Sequence, residues 1–417
     1  MKRLIIVLLI SLFCAGLMFA GGAAEQATDK VVTVTHWTWL DMDPVAREYE
    51  ALNPNVKIEV VRLGPWDLHD KLLVSLASGQ GLPDVATLVV RRFPNYSTTG
   101  RLYDLTPYVK DQLGNYDPGV LDAVSYQGKV FGLPNDISPM IFYYRTDIFD
   151  EVGINIDDIR TFDDYRDAGK KLKAAGYYLM PMFYPASNWG TNALNLFLHS
   201  NNGNFFTADG KVKTDNPELL EVLKYFHDLV FVDKTMDTIR YFTNEFWASF
   251  NADKYATWIV NAPEAANMKQ NLPDLAGKWS VARVPQWKSA EDNYIGVWGG
   301  SILTIPAQAQ NKEAALDWIK WLNASVDGQI AQSKAWNAIP SYLPALDAPH
   351  YQGEDPYFGV RFLDFIEPME IPPYYYYDWA QTEVIVGNQM DLMFGGRQGY
   401  RETYEGIIRD LKNELNR

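Results

Sequence analysis

Apolar and polar residues fall along this chain in blocks whose period changes repeatedly, and the blocks read as alternating strands and helices. Residues 31–36 are dominated by β-branched side chains, and Trp37-Thr38-Trp39 follows them. Such a run predicts a buried parallel strand that delivers two indoles to the loop at its carboxyl end. Asp43-Pro44 predicts a helix start, with Asp43 as the cap, and Asn53-Pro54 stops that helix near Leu52. A second strand is read over 56–61. The loop Leu63-Gly64-Pro65-Trp66 leads to a helix over 68–77, and Pro83-Asp84 introduces a third strand over 85–90. Strand, helix, strand, helix, strand with short connections predicts a doubly wound α/β lobe. Ligands in such lobes sit at the carboxyl ends of the strands. Trp37, Trp39, Trp66, Arg91 and Arg92 stand there.

A second α/β pattern begins after Asp136. Thr161 predicts the cap of a helix over 162–173 that Gly176 ends, followed by a strand over 177–183. Asp215-Asn216-Pro217 opens a helix with Leu219, Leu220, Leu223, Phe226 and Val230 on one face. A strand over 255–260 precedes a helix from about Pro263, and the segment 296–305 reads as a strand returning the chain between lobes. Asn311 predicts the cap of an amphipathic helix carrying Ala314, Ala315, Trp318, Ile319 and Leu322. A final helix is read over 400–415. No internal repeat, low-complexity tract or charged linker interrupts these blocks.

The amino terminus has a different character. Lys2 and Arg3 precede an uncharged apolar run over 4–18, and small residues follow at Ala20, Gly21, Gly22, Ala23 and Ala24. This predicts a signal peptide over 1–24 and an exported chain, periplasmic or extracellular. Cys14 raises a lipoprotein alternative. Phe13 opposes it, because a lipobox places a small residue before the cysteine. Cys14 is the single cysteine, so cleavage beyond it leaves neither a thiol nor a disulfide. Lys and Arg number 37 against 52 Asp and Glu, a formal charge of −15 that argues against nucleic acid as a partner. Thirteen Trp and 25 Tyr raise the prospect of a stacking ligand. The five histidines lack metal-ligand spacing, and no phosphate-binding glycine loop or nucleophile elbow occurs, so neither metal nor cofactor is expected.

Four local phrases, in order along the chain, carry a family resemblance. They are 49–60 (Tyr-Glu-Ala-Leu-Asn-Pro-Asn-Val-Lys-Ile-Glu-Val), and Leu76-Ala77-Ser78-Gly79 with Leu82-Pro83-Asp84-Val85. Next come 128–134 with 142–149, and then Gly299-Gly300-Ser301 with 311–315. Together they resemble the family 1 extracellular solute-binding proteins, the group that includes maltose-binding protein. The family usually has Tyr-Asn where this chain has Tyr144-Arg145. The resemblance implies an α/β, two-lobed type II periplasmic binding fold, each lobe a doubly wound sheet flanked by helices, joined by a hinge. It places chain crossings near 135–139, 296–301 and 306–311. The first lobe is then expected over 31–137 plus 297–310, and the second over 138–296 plus 311–417.

The resemblance also implies a function: an ABC importer's capture component, a monomer that binds a mono- or oligosaccharide between the lobes and hands it to membrane permease subunits. A sugar offers flat C–H faces and a rim of hydroxyls, so its site needs rings and planar polar groups. Trp39, Trp66 and Arg91 are the candidates from the first lobe, with Asp136 and Ser138 at the first crossing. Trp189, in the polar loop 187–192, and Glu264 are the candidates from the second. Glu264 departs from the aromatic residue often found there, and its carboxylate equally suits a helix amino terminus. Trp298, Gly299 and Gly300 lie at the second crossing, where glycines would let ligand approach the backbone. The run 374–379 is the densest aromatic segment, and Tyr375, Tyr377 or Trp379 is expected to line the cleft. Two other readings stay open. An exported glycoside hydrolase would need a carboxyl pair such as Asp136 and Glu264 across a scissile bond. The same fold could instead take a peptide, polyamine or osmolyte.

Overall fold

The computed structural model describes residues 31–186, 189–289, 291–336, 338–366, 369–373, 375 and 377–415. The expected signal peptide with Cys14, and Ser187, Asn188, Tyr374 and Tyr376, lie outside them. Along the chain the elements that position the site are β1 (Val32–Thr38), α1 (Asp43–Leu52), β2 (Val56–Arg62), α2 (Pro65–Ser78) and β3 (Val85–Val89). Then come β4 (Gly132–Pro134), β5 (Asp136–Ile137), β6 (Met140–Arg145), α3 (Phe162–Ala174), β7 (Met180–Phe183), α4 (Trp189–Ser200) and α5 (Pro217–His227). These are followed by β8 (Met236–Ile239), β9 (Thr257–Asn261), α6 (Glu264–Asn271), β10 (Trp279–Ala282) and β11 (Ser301–Thr304). The chain ends with α7 (Lys312–Asn323), α8 (Val326–Trp336), β12 (Ile339–Pro340), α9 (Trp379–Phe394) and α10 (Tyr400–Leu415).

Local chemistry explains many of these boundaries. Thr161 and Asp164 form the reciprocal capping box that starts α3. Asn216 accepts from the Leu219 amide to start α5. Asp43 is the first helical residue of α1 rather than its cap, and Met42 takes the cap position without a side-chain bond. Asn311 precedes α7 but spends its amide group on Thr33 and Asp84. Among the described residues, no helix is long and apolar enough to cross a membrane.

The first sheet runs β2-β1-β3-β11-β4, with β11 antiparallel to its neighbours. The second repeats that plan. β7 and β8 pair in parallel, and β6 lies antiparallel between β9 and β10. The Ala256 and Thr257 amides donate to the Tyr178 and Leu179 carbonyls at 3.0 and 2.9 Å, joining these parts in the order β8-β7-β9-β6-β10. In each sheet the reversed strand is the one that arrives from the other lobe. The repeat is topological, which is why no sequence repeat announces it.

The strands that carry the chain between lobes run antiparallel and are bonded to each other. The Asn135 amide donates to Ser301, Trp298 to Ser138 and Met140 to Gly296, each at 2.8 Å. The third crossing differs from expectation. Residues 306–311 stay in the first lobe, where the Asn311 amide donates to Asp84 at the end of β3 remote from the crossing strands. Moreover, α7 packs on β1 and β4, and α8 on α1, so the segment 311–336 belongs with the first sheet and not, as expected, with the second. The chain leaves that lobe later. β12 pairs with β5, and then Asp355 meets Lys269 and the Tyr357 hydroxyl donates to the Leu272 carbonyl at 2.8 Å. An amphipathic pattern shows that a helix has one apolar face but not which sheet that face covers.

Arg145, the departure from the family phrase, ends β6. It grips Asp147 with two 2.7 Å hydrogen bonds, reaches Asp253 at 2.6 Å and lies over Trp279. It is a buried guanidinium held by two solvent-accessible carboxylates at the end of β6 far from the crossing.

Gly299 and Gly300 have φ of +122° and +126°. A Cβ on Gly300 would stand 2.3 Å from the Asp136 carbonyl, and one on Gly299 would stand 2.7 Å from Val90. Their bareness therefore serves the packing of one backbone segment on another, which accounts for glycine at both positions without a ligand. Gly300→Ala should destabilise the protein by about 2 kcal/mol more than Gly81→Ala, whose Cβ would meet nothing within 4 Å. Urea unfolding followed by tryptophan fluorescence measures the difference.

Candidate functional site

The first-lobe wall forms where β1, α2 and β3 point at the crossing strands. Trp37 is buried inside the strand end under the Lys71 ammonium, so it packs rather than presents a face. Trp39 and Trp66 are partly open, and His69 lies between them with ring centroids 6.3 and 6.2 Å away. His69 is neutral. Its Nε2 accepts from the Val89 amide, its Nδ1 meets the Tyr96 hydroxyl at 2.7 Å, and burial with Arg92 and Arg91 nearby lowers its pKa to about 3. Arg91 and Arg92 form the turn that ends β3. The Arg92 guanidinium stacks over Trp66 at 4.9 Å, and Arg91 donates to the Trp298 carbonyl.

The second-lobe wall is an aromatic cluster. Trp189 occupies the first turn of α4, so part of the expected polar loop is helix. Its ring lies 5.0 Å from Tyr241, 5.3 Å from Phe242 and 6.1 Å from Trp298 on the crossing strand. Trp189 and Phe242 keep 38% and 50% of their surfaces open, whereas Trp298 and Tyr241 are buried beneath. Glu264 starts α6 beside this cluster, accepting from Asn267 at 2.9 Å and facing Tyr241. The Tyr241 hydroxyl itself has no hydrogen bond of good geometry among the described residues. Sequence reasoning missed Tyr241 and Phe242, although the rule that ligands gather at the carboxyl ends of strands points to them once β8 is recognised.

The lobes also touch directly. Glu383, on the first turns of α9 and 1% exposed, accepts from Arg92 at 3.0 Å, Asn192 at 3.0 Å and the Trp379 indole at 2.9 Å. Arg91 lies 3.9 Å from the same carboxylate. Trp379 is therefore buried as a support for Glu383 and does not line the cleft as an open ring. Tyr377 donates to the Ala208 carbonyl and packs on Phe206, and the Tyr375 amide donates to Asn204. Both belong to the packing of the second lobe. The signal for Glu383 was its i,i+4 spacing from Trp379, legible only once a helix is known to begin there.

At the crossing, Asp136 is a clasp between strands. Its Oδ1 accepts from the Ser301 amide at 3.0 Å and from the Ser301 hydroxyl, while Oδ2 lies 3.4 Å from the Ser138 hydroxyl. Ser138 thus serves the clasp too. Among the described residues, no hydrogen bond joins Asp136 to Glu264, and no group of three or more His, Cys, Asp or Glu is gathered to hold a metal. Cavities of about 380 and 330 Å³ lie outside the aromatic walls, beside β10 and beside β12.

A family model described as bacterial extracellular solute-binding protein matches residues 41–327. The chain belongs to the bacterial extracellular solute-binding proteins. It is 27% identical over 354 residues to the arabinooligosaccharide-binding protein of Bacillus subtilis (strain 168), a match covering 81% of this chain and 80% of the relative. It is 26% identical to the lactose-binding protein of Rhizobium radiobacter, over 84% of this chain and 82% of that one. Among solved structures, the ABC-transporter-associated binding protein of B. animalis subsp. lactis Bl-04, in complex with β-1,6-galactobiose, has a TM-score of 0.75. That pair is 23% identical, covering 92% of this chain and 98% of the other. The two-lobed type II fold expected from the sequence is the fold of this solute-binding protein.

Burial sets the electrostatics of the two acids. It raises the Asp136 and Glu264 carboxyls above the usual range, and the hydrogen bonds from Ser301 to Asp136 and from Asn267 to Glu264, with the Tyr241 hydroxyl facing Glu264, only partly oppose it. A folded-state pKa above the unfolded value means that the native protein holds a proton the unfolded chain has released. Stability then falls as pH rises from the usual 4.5 of glutamate through the raised folded value. Other acids titrate as well, so the expected signal is a difference. The melting temperature of the wild type minus that of Glu264→Gln should become more negative across this window, and a difference independent of pH would reject the assignment.

Proposed function

We propose that this protein captures an oligosaccharide outside the cytoplasmic membrane, closes its lobes on it and delivers it to the permease subunits of an ABC importer. One observation carries the reading: two partly open aromatic walls, Trp39 with Trp66 and Trp189 with Phe242, rise from different lobes beside a bonded crossing. Rings suit the C–H faces of a sugar, and the arginine, amide and carboxyl groups among them suit its hydroxyl rim. Ligand shifts an open–closed equilibrium by the contacts it makes only when both walls are in place. The names of the arabinooligosaccharide- and lactose-binding relatives support a saccharide over a peptide, polyamine or osmolyte. The chain acts as an exported monomer that binds without turnover. The different surroundings of Asp136, locked in the clasp, and Glu264, set against Tyr241, favour binding over glycoside hydrolysis.

The test is a thermal-shift screen over arabino-, galacto- and malto-oligosaccharides followed by calorimetry, since a ligand that binds only the folded state raises its melting temperature. Trp39→Ala and Trp189→Ala should each weaken the best ligand by about tenfold or more, roughly 1.4 kcal/mol. Loss in one variant alone would reject a site built from both lobes. Release of reducing ends would reject binding without turnover.

A further inference from the structure

We propose that Glu383 determines specificity: it is a built-in carboxylate that takes, between the lobes, the seat an acidic group of a ligand would otherwise occupy, and it restricts the cleft to uncharged saccharides. This rests on the saccharide reading above and names the class of saccharide.

The groups around Glu383 are those that would recognise a ligand carboxylate. Arg92 approaches one oxygen at 3.0 Å. The other receives Asn192 at 3.0 Å and the Trp379 indole at 2.9 Å, and Arg91 stands 3.9 Å from it. Two guanidinium groups, an amide and an indole thus converge on one carboxylate from both lobes. The Thr191 hydroxyl donates to the Glu383 carbonyl at 3.1 Å and holds the backbone in place. At 1% exposure this is not a solvent-screened surface pair. Arg92 also stacks on Trp66, and Arg91 donates to the Trp298 carbonyl, so the cations that Glu383 neutralises sit within the candidate walls.

Charge then discriminates. With Glu383 in place, a uronate would have to compete with a saturated carboxylate, and the other acids near the cleft are half-buried Asp136 and buried Glu264. It would be buried without a partner, which is strongly unfavourable. A neutral sugar leaves the pairing intact and uses the rings and hydroxyl partners. Specificity of this kind works by rejecting the wrong ligand as much as by attracting the right one.

Chemical rescue tests this directly. Glu383→Ala empties a seat beside two guanidinium groups. Sodium formate should raise the melting temperature of that variant but not of the wild type, with sodium chloride at equal ionic strength having no such effect. This readout needs no sugar, so it stands or falls separately from the saccharide reading, which fails if the wild type binds no saccharide. With the neutral sugar found for the wild type and its counterpart oxidised to the uronate, the affinity ratio of uronate to neutral sugar should rise about tenfold or more in Glu383→Ala. Glu383→Gln keeps the size and removes the charge. It should raise the ratio likewise and show no formate rescue, because its amide still fills the seat. Should the alanine variant fail to fold, the glutamine variant decides by the ratio. An unchanged ratio, wild-type binding of the uronate equal to that of the neutral sugar, or no formate effect on a folded alanine variant would overturn the proposal.

Discussion

The backbone bonding between the crossing strands is the constraint on which the rest depends. Two antiparallel segments, one outgoing and one returning, are joined by amide-to-carbonyl bonds at Asn135, Ser138, Met140, Gly296, Trp298 and Ser301. Each segment becomes the reversed strand of the sheet it enters, β6 in one and β11 in the other. The hinge is therefore continuous with both cores. Rotation about it would change the facing of the walls without changing the order of either sheet.

Packing at the crossing explains several residues whose types alone suggested ligand contact. Gly299 and Gly300 are bare because Val90 and the Asp136 carbonyl pass where a side chain would be. Asp136 is acidic because Ser301 offers it both an amide and a hydroxyl from the opposite segment. A hinge and a ligand site draw on the same chemistry, small residues and strong acceptors. Only the partners of each atom separate the two roles.

The faces above the hinge divide their work differently. Rings supply area, with Trp189 and Phe242 partly open over buried Tyr241 and Trp298, and Trp39 and Trp66 flanking neutral His69. Charge is paired internally, Arg91 and Arg92 from one lobe meeting Glu383 from the other. Moving a population from mostly open to mostly closed takes a preference of about 5.5 kcal/mol. The cross-lobe ion pair favours the closed arrangement, so the contacts proposed for a ligand on both walls need not supply the whole preference.

The sequence by itself determined the α/β class, the strands and helices from β1 to β3, and the helices α3, α5, α7 and α10, and it put forward Trp39, Trp66 and Trp189 as candidate rings. Period, caps and prolines are local signals, and the four family phrases set the order of the parts. Tertiary structure alone decided that α7 covers the first sheet, that the last crossing follows β12, and that Trp379 is buried as a support. It also brought Tyr241, Phe242 and Glu383 to the cleft from segments without a distinguishing local pattern. The physical reason is that periodicity records which face of an element is apolar, whereas partners such as Arg92 and Glu383, 291 residues apart, are chosen by how whole sheets pack.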